Sequence, residues 1–334
     1  MDALLEKTLT TSRRLEYRYY ASPPSTSSTA PALLLLHGWP DSAHLWQYVI
    51  PHLTQLRLRI IVPDLLGYGG TSKPLDPELY NYRQMAEDVM EILDRERIDK
   101  IIPIGHDWGC YFCSRINMLY PERCVATVHI GIALLPRMTE PVDMAQVEEL
   151  SVQLVGHRRF AYWKLFTSPE APQIFADHLE SVWYALHGAP DHWVYEMFCR
   201  DDAMKDFLLA DRTEIPLKDY AQSEQMKEKW KQDMKTPGDW QAAFCWYQAF
   251  VQNVQIEEDK KLSPENAILK MPVLHIACDD DGVNPPKLAE LVKQAGLIPN
   301  VDIKVLHAGH WCPYEKPADI AKLIVNFVEE RHLL

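Results

Sequence analysis

An aspartate at the centre of Gly105-His106-Asp107-Trp108-Gly109 is the residue of this chain best suited to attack carbon. A carboxylate on a sharp turn between a strand and a helix can open an epoxide or displace a halide, leaving an ester that water must then break. The flanking glycines let strand and helix approach closely, so that the middle residue points up out of a sheet. A serine there would suit ester hydrolysis; an aspartate points to epoxide or carbon–halogen opening. The same pentapeptide also reads as a plain strand-to-helix turn in which Asp107 caps the helix. Breaking the ester requires a base and a group that orients the base. His310, in Ala308-Gly309-His310-Trp311, is the candidate base. The orienting acid lies in Asp279-Asp280-Asp281-Gly282. Asp281 is the choice because the continuation Gly282-Val283-Asn284-Pro285-Pro286 places it late in the loop. Asp279 and Asp280 suit turns or caps and stay open as alternatives. An oxyanion on the ester needs backbone donors, for which the N–H groups of Trp108 and Trp39 are candidates. Pro40 invites a cis bond that would aim the Trp39 loop inward. The Trp39 and Trp108 side chains also suit simple packing.

These residues need elements that carry them to one place. The run 32–36 (ALLLL) is fully apolar, as a central parallel strand should be, and it ends at His37-Gly38-Trp39-Pro40-Asp41-Ser42. Strands are expected over 15–20, 57–62 and 125–132, with another leading into Gly105. Helices are expected over 43–55, 82–95 and 110–120. Residues 22–29 are Ser-, Thr- and Pro-rich and read as a loop, a mobile one. The glycine-rich loop 63–72 lacks a phosphate-cradling pattern. After Leu135 the rhythm changes. Residues 136–267 are helical and aromatic, with six of the ten tryptophans: Trp163, Trp183, Trp193, Trp230, Trp240 and Trp246. Strand rhythm returns over 271–277 and 301–306, and a helix over 317–330 closes the chain. The expectation is an α/β fold, a mostly parallel sheet flanked by helices (core 1–135 and 268–334) with a helical lid inserted over 136–267. Each chemical motif falls at the carboxyl end of a strand, where open parallel sheets bind ligands. The chain order nucleophile, acid, histidine is that of the α/β-hydrolase scaffold.

Bulk properties narrow the function. The chain has 334 residues, 47% apolar and 24% charged, with a net charge of −13 from 34 basic and 47 acidic residues. That balance argues against nucleic acid and against an anionic membrane surface. No apolar run reaches the length of a membrane span. The first residues lack the order of a signal peptide, and the last three are not a peroxisomal signal. Seven scattered cysteines suit a reduced, cytoplasmic compartment. Cys110 and Cys113 form C-x-x-C, but their place on the helix after the turn favours core packing over redox chemistry.

His37-Gly38-Trp39-Pro40, Gly105-His106-Asp107-Trp108-Gly109 and Gly309-His310-Trp311 resemble the α/β-hydrolase-fold epoxide hydrolases, of the soluble and fungal forms. The similarity runs from about Leu33 to the end and is weakest in the lid. It implies two lid tyrosines that hold the epoxide oxygen and protonate it as the ring opens. Tyr162, in the segment RFAYWKLF, and Tyr247, in CWYQ, match those contexts. A neutral phenol is a fitting donor to an alkoxide. The resemblance thus implies substrate contacts from Tyr162, Tyr247 and Trp108, and a small hydrophobic epoxide and water as partners. It implies neither metal nor organic cofactor. His106 and Asp107-Trp108 are shared with haloalkane dehalogenases, but Trp39 stands where many of those have Asn or Glu. Fluoroacetate dehalogenases usually have Arg where Trp108 stands. Cys110 departs from the smaller residue frequent in the family. The alternatives are a dehalogenase, a biosynthetic enzyme opening a complex epoxide, or a ligand-binding member without turnover. Oligomeric state is not legible.

Overall fold

A computed structural model describes residue 1, residues 3–24 and residues 30–334. The part of the expected loop over 25–29 lies outside the described residues. The apolar run after it forms β3 (Ala32–Leu36), with all five residues buried. It lies in an eight-stranded sheet with β1 (Leu5–Thr10), β2 (Glu16–Ala21), β4 (Arg59–Pro63), β5 (Ile101–His106), β6 (Thr127–Ile130), β7 (Val273–Cys278) and β8 (Val301–Leu306). The spatial order is β1-β2-β4-β3-β5-β6-β7-β8. β1 and β2 pair antiparallel, as do β2 and β4, and the pairs from β4 to β8 are parallel. β5 and β7 are buried along their whole length, which explains their continuous apolar runs.

The order of the sheet reverses between β3 and β5. From β3 the chain moves outward to β4; from β5 it moves the other way to β6, β7 and β8. Crevices at the carboxyl ends of strands open at such a switch. The loop carrying Trp39 leaves β3 there, and Asp107 leaves β5 beside it.

The expected helices over 82–95 and 317–330 form as Tyr82–Arg95 and Pro317–Glu330. Asn81 caps the first by accepting from the Arg83 and Gln84 N–H groups. The expected helix over 43–55 is instead three short pieces, Ala43–Trp46, Ile50–Leu53 and Thr54–Leu56. Pro51 has no N–H to continue the ladder back to Gln47. β1 was not expected; it is an edge strand that exposes alternate residues.

Between β6 and β7 the chain is helical. Its longest helix, Pro237–Val251, opens with a reciprocal cap: Asp239 N–H donates to Thr236 Oγ1 at 3.2 Å and Thr236 N–H to Asp239 Oδ2 at 2.8 Å. It buries Trp240, Phe244, Trp246, Tyr247 and Phe250 over the sheet's carboxyl edge. Among the described residues no helix is long and apolar enough to cross a membrane.

Candidate active site

The turn after β5 is built by close approach. Asp107 has φ 54° and ψ −124°, a conformation that costs a non-glycine residue on the order of 1–3 kcal/mol. It is tolerated because its carbonyl accepts from Cys110 N–H at 2.8 Å and because the glycines leave room. A Cβ on Gly105 would strike the backbone of Gly109, and a Cβ on Gly109 would strike the Leu36 carbonyl on β3. Asp107 precedes the helix Trp108–Leu119, yet its side chain makes no capping bond to that helix. The carboxylate turns across to the β3 loop, where Oδ1 accepts from Trp39 N–H at 2.8 Å. The Trp39–Pro40 bond is cis. The N–H of Trp108, first residue of its helix, has no acceptor within that helix.

The second oxygen of Asp107 faces His310. Oδ2 lies 3.6 Å from Nε2, and on the other side of the ring Nδ1–H donates to Asp281 Oδ2 at 2.8 Å. Asp281 is fixed by the N–H groups of Val283 and Asn284, both on Oδ1, at 2.9 and 3.2 Å. Its two neighbours look elsewhere. Asp279 meets His307 at 3.1 Å, and Asp280 accepts from His192 N–H at 3.0 Å. Burial would raise the Asp281 carboxyl, but the charge of His310 and these donors hold it below the ordinary range. Burial would likewise lower His310, but the carboxylates of Asp281 and Asp107 push it well above its usual value.

Two supports of the His310 loop were not picked out from sequence. His106 Nε2 donates to the His310 carbonyl at 2.8 Å, and burial draws its pKa down to about 4, so it stays neutral. Asp41 accepts from Trp311 Nε1 at 3.0 Å and from Tyr314 Oη at 2.8 Å. Burial raises its carboxyl to about 7. The signal for Asp41 was its place directly after Pro40, but its partners lie 270 residues on.

Tyr162 and Tyr247 come from separate helices and meet, with ring centroids 5.9 Å apart. Tyr162 stands at the start of the short helix Trp163–Phe166, and Tyr247 lies within Pro237–Val251. Both are buried. Burial, with the charge of Asp107 adding to it, raises both phenols well above the ordinary value, so each is a neutral donor. A narrow cavity is lined by Trp39, Asp107, Tyr162, Tyr247, His310 and Trp311. The Trp108 side chain packs 5.1 Å from the Tyr247 ring and 5.8 Å from Trp163, and it lines a second, larger cavity of about 580 Å³. The two cavities share Asp107, Tyr162 and Val283. Cys110 and Cys113 are buried free thiols; Cys110 Sγ donates to the Gly105 carbonyl at 3.1 Å. The arrangement suits attack by a carboxylate, with two phenols and an imidazole lining the same cavity.

The chain resembles known proteins along most of its length. Residues 31–317 match the model of a family described as alpha/beta hydrolase fold. An epoxide hydrolase of Neurospora crassa is 26% identical, over 96% of this chain and 93% of its own length. The bifunctional epoxide hydrolase 2 of Sus scrofa is 24% identical over 90% of this chain, which spans about half of that protein, 52%. Among solved structures, epoxide hydrolase A from Mycobacterium thermoresistibile superposes with a TM-score of 0.76 at 22% identity, covering 98% of each chain. An epoxide hydrolase from an endophytic Streptomyces gives 0.79 at 18% identity, covering 99% of this chain and 97% of its own.

Proposed function

The chain belongs to the alpha/beta hydrolase fold family, and we propose that within it the molecule is an epoxide hydrolase, turning an epoxide and water into a vicinal diol. We read 136–267 as a lid inserted into a core made of 1–135 and 268–334. The observation that carries the reading is the shared cavity, which Asp107, His310 and the two neutral tyrosines Tyr162 and Tyr247 line together. A dehalogenase needs donors to halide, whereas ring opening needs a proton delivered to an alkoxide, which phenols supply.

In the first step Asp107 attacks one ring carbon while Tyr162 and Tyr247 hold the oxygen. The carbon–oxygen bond breaks, an ester forms on Asp107, and a tyrosine proton passes to the alkoxide. In the second step His310, oriented by Asp281, takes a proton from water. The hydroxide attacks the ester carbonyl, whose oxyanion is held by the N–H groups of Trp39 and Trp108. In the resting molecule the Trp39 N–H already binds Asp107 Oδ1, so that donor is aimed before the ester exists. The tetrahedral adduct then collapses as the proton on His310 passes to the leaving alkoxide, the acid proton left on Asp107 returns to the tyrosinate, and the diol leaves with carboxylate, phenol and imidazole restored.

Intact mass of a His310→Gln variant tests the reading. After exposure to mixed epoxides and haloalkanes, the ester should persist and add the mass of one whole epoxide. An added alkyl group with loss of halide would instead mean dehalogenation. Full epoxide turnover by Asp107→Ala would remove Asp107 from the mechanism.

A further inference from the structure

The large cavity carries a cation with no anion of its own. Its wall is aliphatic, built by Leu134, Val142, Leu150, Leu154, Leu288 and Leu291 among others, and its charged lining residues are Asp107 and Arg159. We propose that Arg159 is a carboxylate-binding subsite, so that the cavity takes an amphipathic acid with its charged end on Arg159 and its apolar body along the aliphatic wall. For an epoxide acid the reacting ring then lies in the same cavity, which Asp107 also lines. The epoxide half of this statement rests on the function proposed above; the carboxylate subsite does not.

Arg159 lies in the loop between the helix Met144–Val155 and Tyr162. Its Nε donates to the Val283 carbonyl at 2.5 Å and Nη2 to Asn284 Oδ1 at 3.3 Å. Its guanidinium carbon lies 4.6 Å from the Phe160 ring centroid. These contacts anchor the loop to that of Asp281, but they use two of five guanidinium N–H groups. Among the described residues Arg159 forms no ion pair. Buried Arg115, by contrast, meets Asp259 at 3.1 Å, and Arg18 meets Asp64 at 2.6 Å. The nearby carboxylates are committed. Asp281 serves His310, while Glu148 accepts from the backbone N–H groups of Arg159 and Phe160 at 3.0 and 3.1 Å and lies 3.4 Å from Arg158. Burial draws the Arg159 pKa down to about 10, with the charge of Asp281 only partly offsetting it. Arg159 is half-buried; a cation drawn partly out of water without a counter-ion is costly, and a guanidinium fork matches a carboxylate in two parallel hydrogen bonds. The cavity volume, about 580 Å³, is in the range of small-molecule sites.

Unreactive probes separate this subsite from the chemistry. Decanoate, decanamide and decanol are titrated against the whole protein and followed by tryptophan fluorescence, since Trp108 and Trp163 line the cavity. Decanoate should bind about tenfold or more tighter than either neutral probe, as expected for hydrogen bonds to a charged group. Arg159→Gln should bring the three to within about twofold of each other while leaving decanol affinity unchanged. If Arg159→Gln does not fold, Arg159→Lys should weaken the preference, because it keeps the charge and loses the fork. Equal binding by the wild type, no binding of any probe, or a preference that survives substitution would overturn the proposal. A protein that prefers decanoate but opens no epoxide would keep the subsite and sink the epoxide hydrolase reading. One that opens neutral epoxides without that preference would do the reverse.

Discussion

His310 sits between two carboxylates, and only one of them changes charge in the proposed reaction. Asp281, at 2.8 Å, keeps its charge throughout. Asp107, at 3.6 Å, loses its charge when it becomes an ester. The resting imidazole is held well above its usual pKa, against burial, with Asp107 among the causes. Neutralising Asp107 therefore lowers the His310 pKa and frees the ring to accept a proton from water at the moment when a base is needed. Asp107→Asn mimics the neutral ester at this position. Its His310 ring should titrate at lower pH than in the wild type, as read from imidazole NMR with His310→Gln assigning the signal. An unchanged titration would mean that the charge of Asp107 does not reach the base, and the timing argument would fall.

At the scale of elements, the site depends on how closely β3, β5 and the helix Trp108–Leu119 approach. A Cβ at position 109 would meet carbonyl groups of Leu36 and His37, which are backbone and cannot swing aside. Gly109→Ala should therefore cost roughly 1–3 kcal/mol, despite the better helix propensity of alanine. Gly238→Ala is the control. Its new Cβ finds only Thr236 Oγ1, at 3.6 Å, and it should be neutral or stabilising by up to about 1 kcal/mol. Chemical denaturation of both variants checks the contrast, and equal effects would contradict it. The glycines were legible because a strand-to-helix turn has a local signature. So were the helices Tyr82–Arg95 and Pro317–Glu330, where apolar periodicity and caps coincide. β1 was not legible, because LEKTLT exposes four of its six residues at a sheet edge and leaves little apolar pattern. Nor was the break at Pro51, because apolar residues continue at helical spacing on both sides of it. Sequence could place Asp279, Asp280 and Asp281 in one loop, but only the fold turns Asp281 to His310 and its neighbours away. Arg159 had no sequence signal beyond its neighbour Tyr162, since its partners are 124 and 125 residues away and the missing anion is a fact of the packed state.

Across the whole molecule, one buried ion pair fastens the helical block to the sheet. Arg115 lies within Trp108–Leu119, the helix that follows Asp107, and donates to the Leu135 and Pro136 carbonyls at 2.9 and 3.0 Å, where the chain leaves the sheet. It also meets Asp259 at 3.1 Å, where the chain is about to return. Asp259 in turn accepts from Met138 N–H at 2.7 Å and from Tyr82 Oη at 2.8 Å. Both ends of the block carrying Tyr162 and Tyr247 are thus tied to the helix behind Asp107. The two side chains are fully buried, so neither can exchange its partner for water. Removing one leaves an uncompensated charge, a loss of roughly 3–5 kcal/mol, whereas a surface pair contributes about 0–1 kcal/mol. Asp259→Ala should show the larger figure in urea denaturation, and Asp259→Asn, which keeps an acceptor for Arg115, a smaller one. The exposed pair Lys164–Asp202, at 3.2 Å, gives the contrast, and Asp202→Ala should fall in the lower range. If Asp259→Ala is no worse than Asp202→Ala, the tie does not hold the block. The register of the tyrosines over Asp107 would then have to come from the aromatic packing around Trp108, Trp163 and Tyr247.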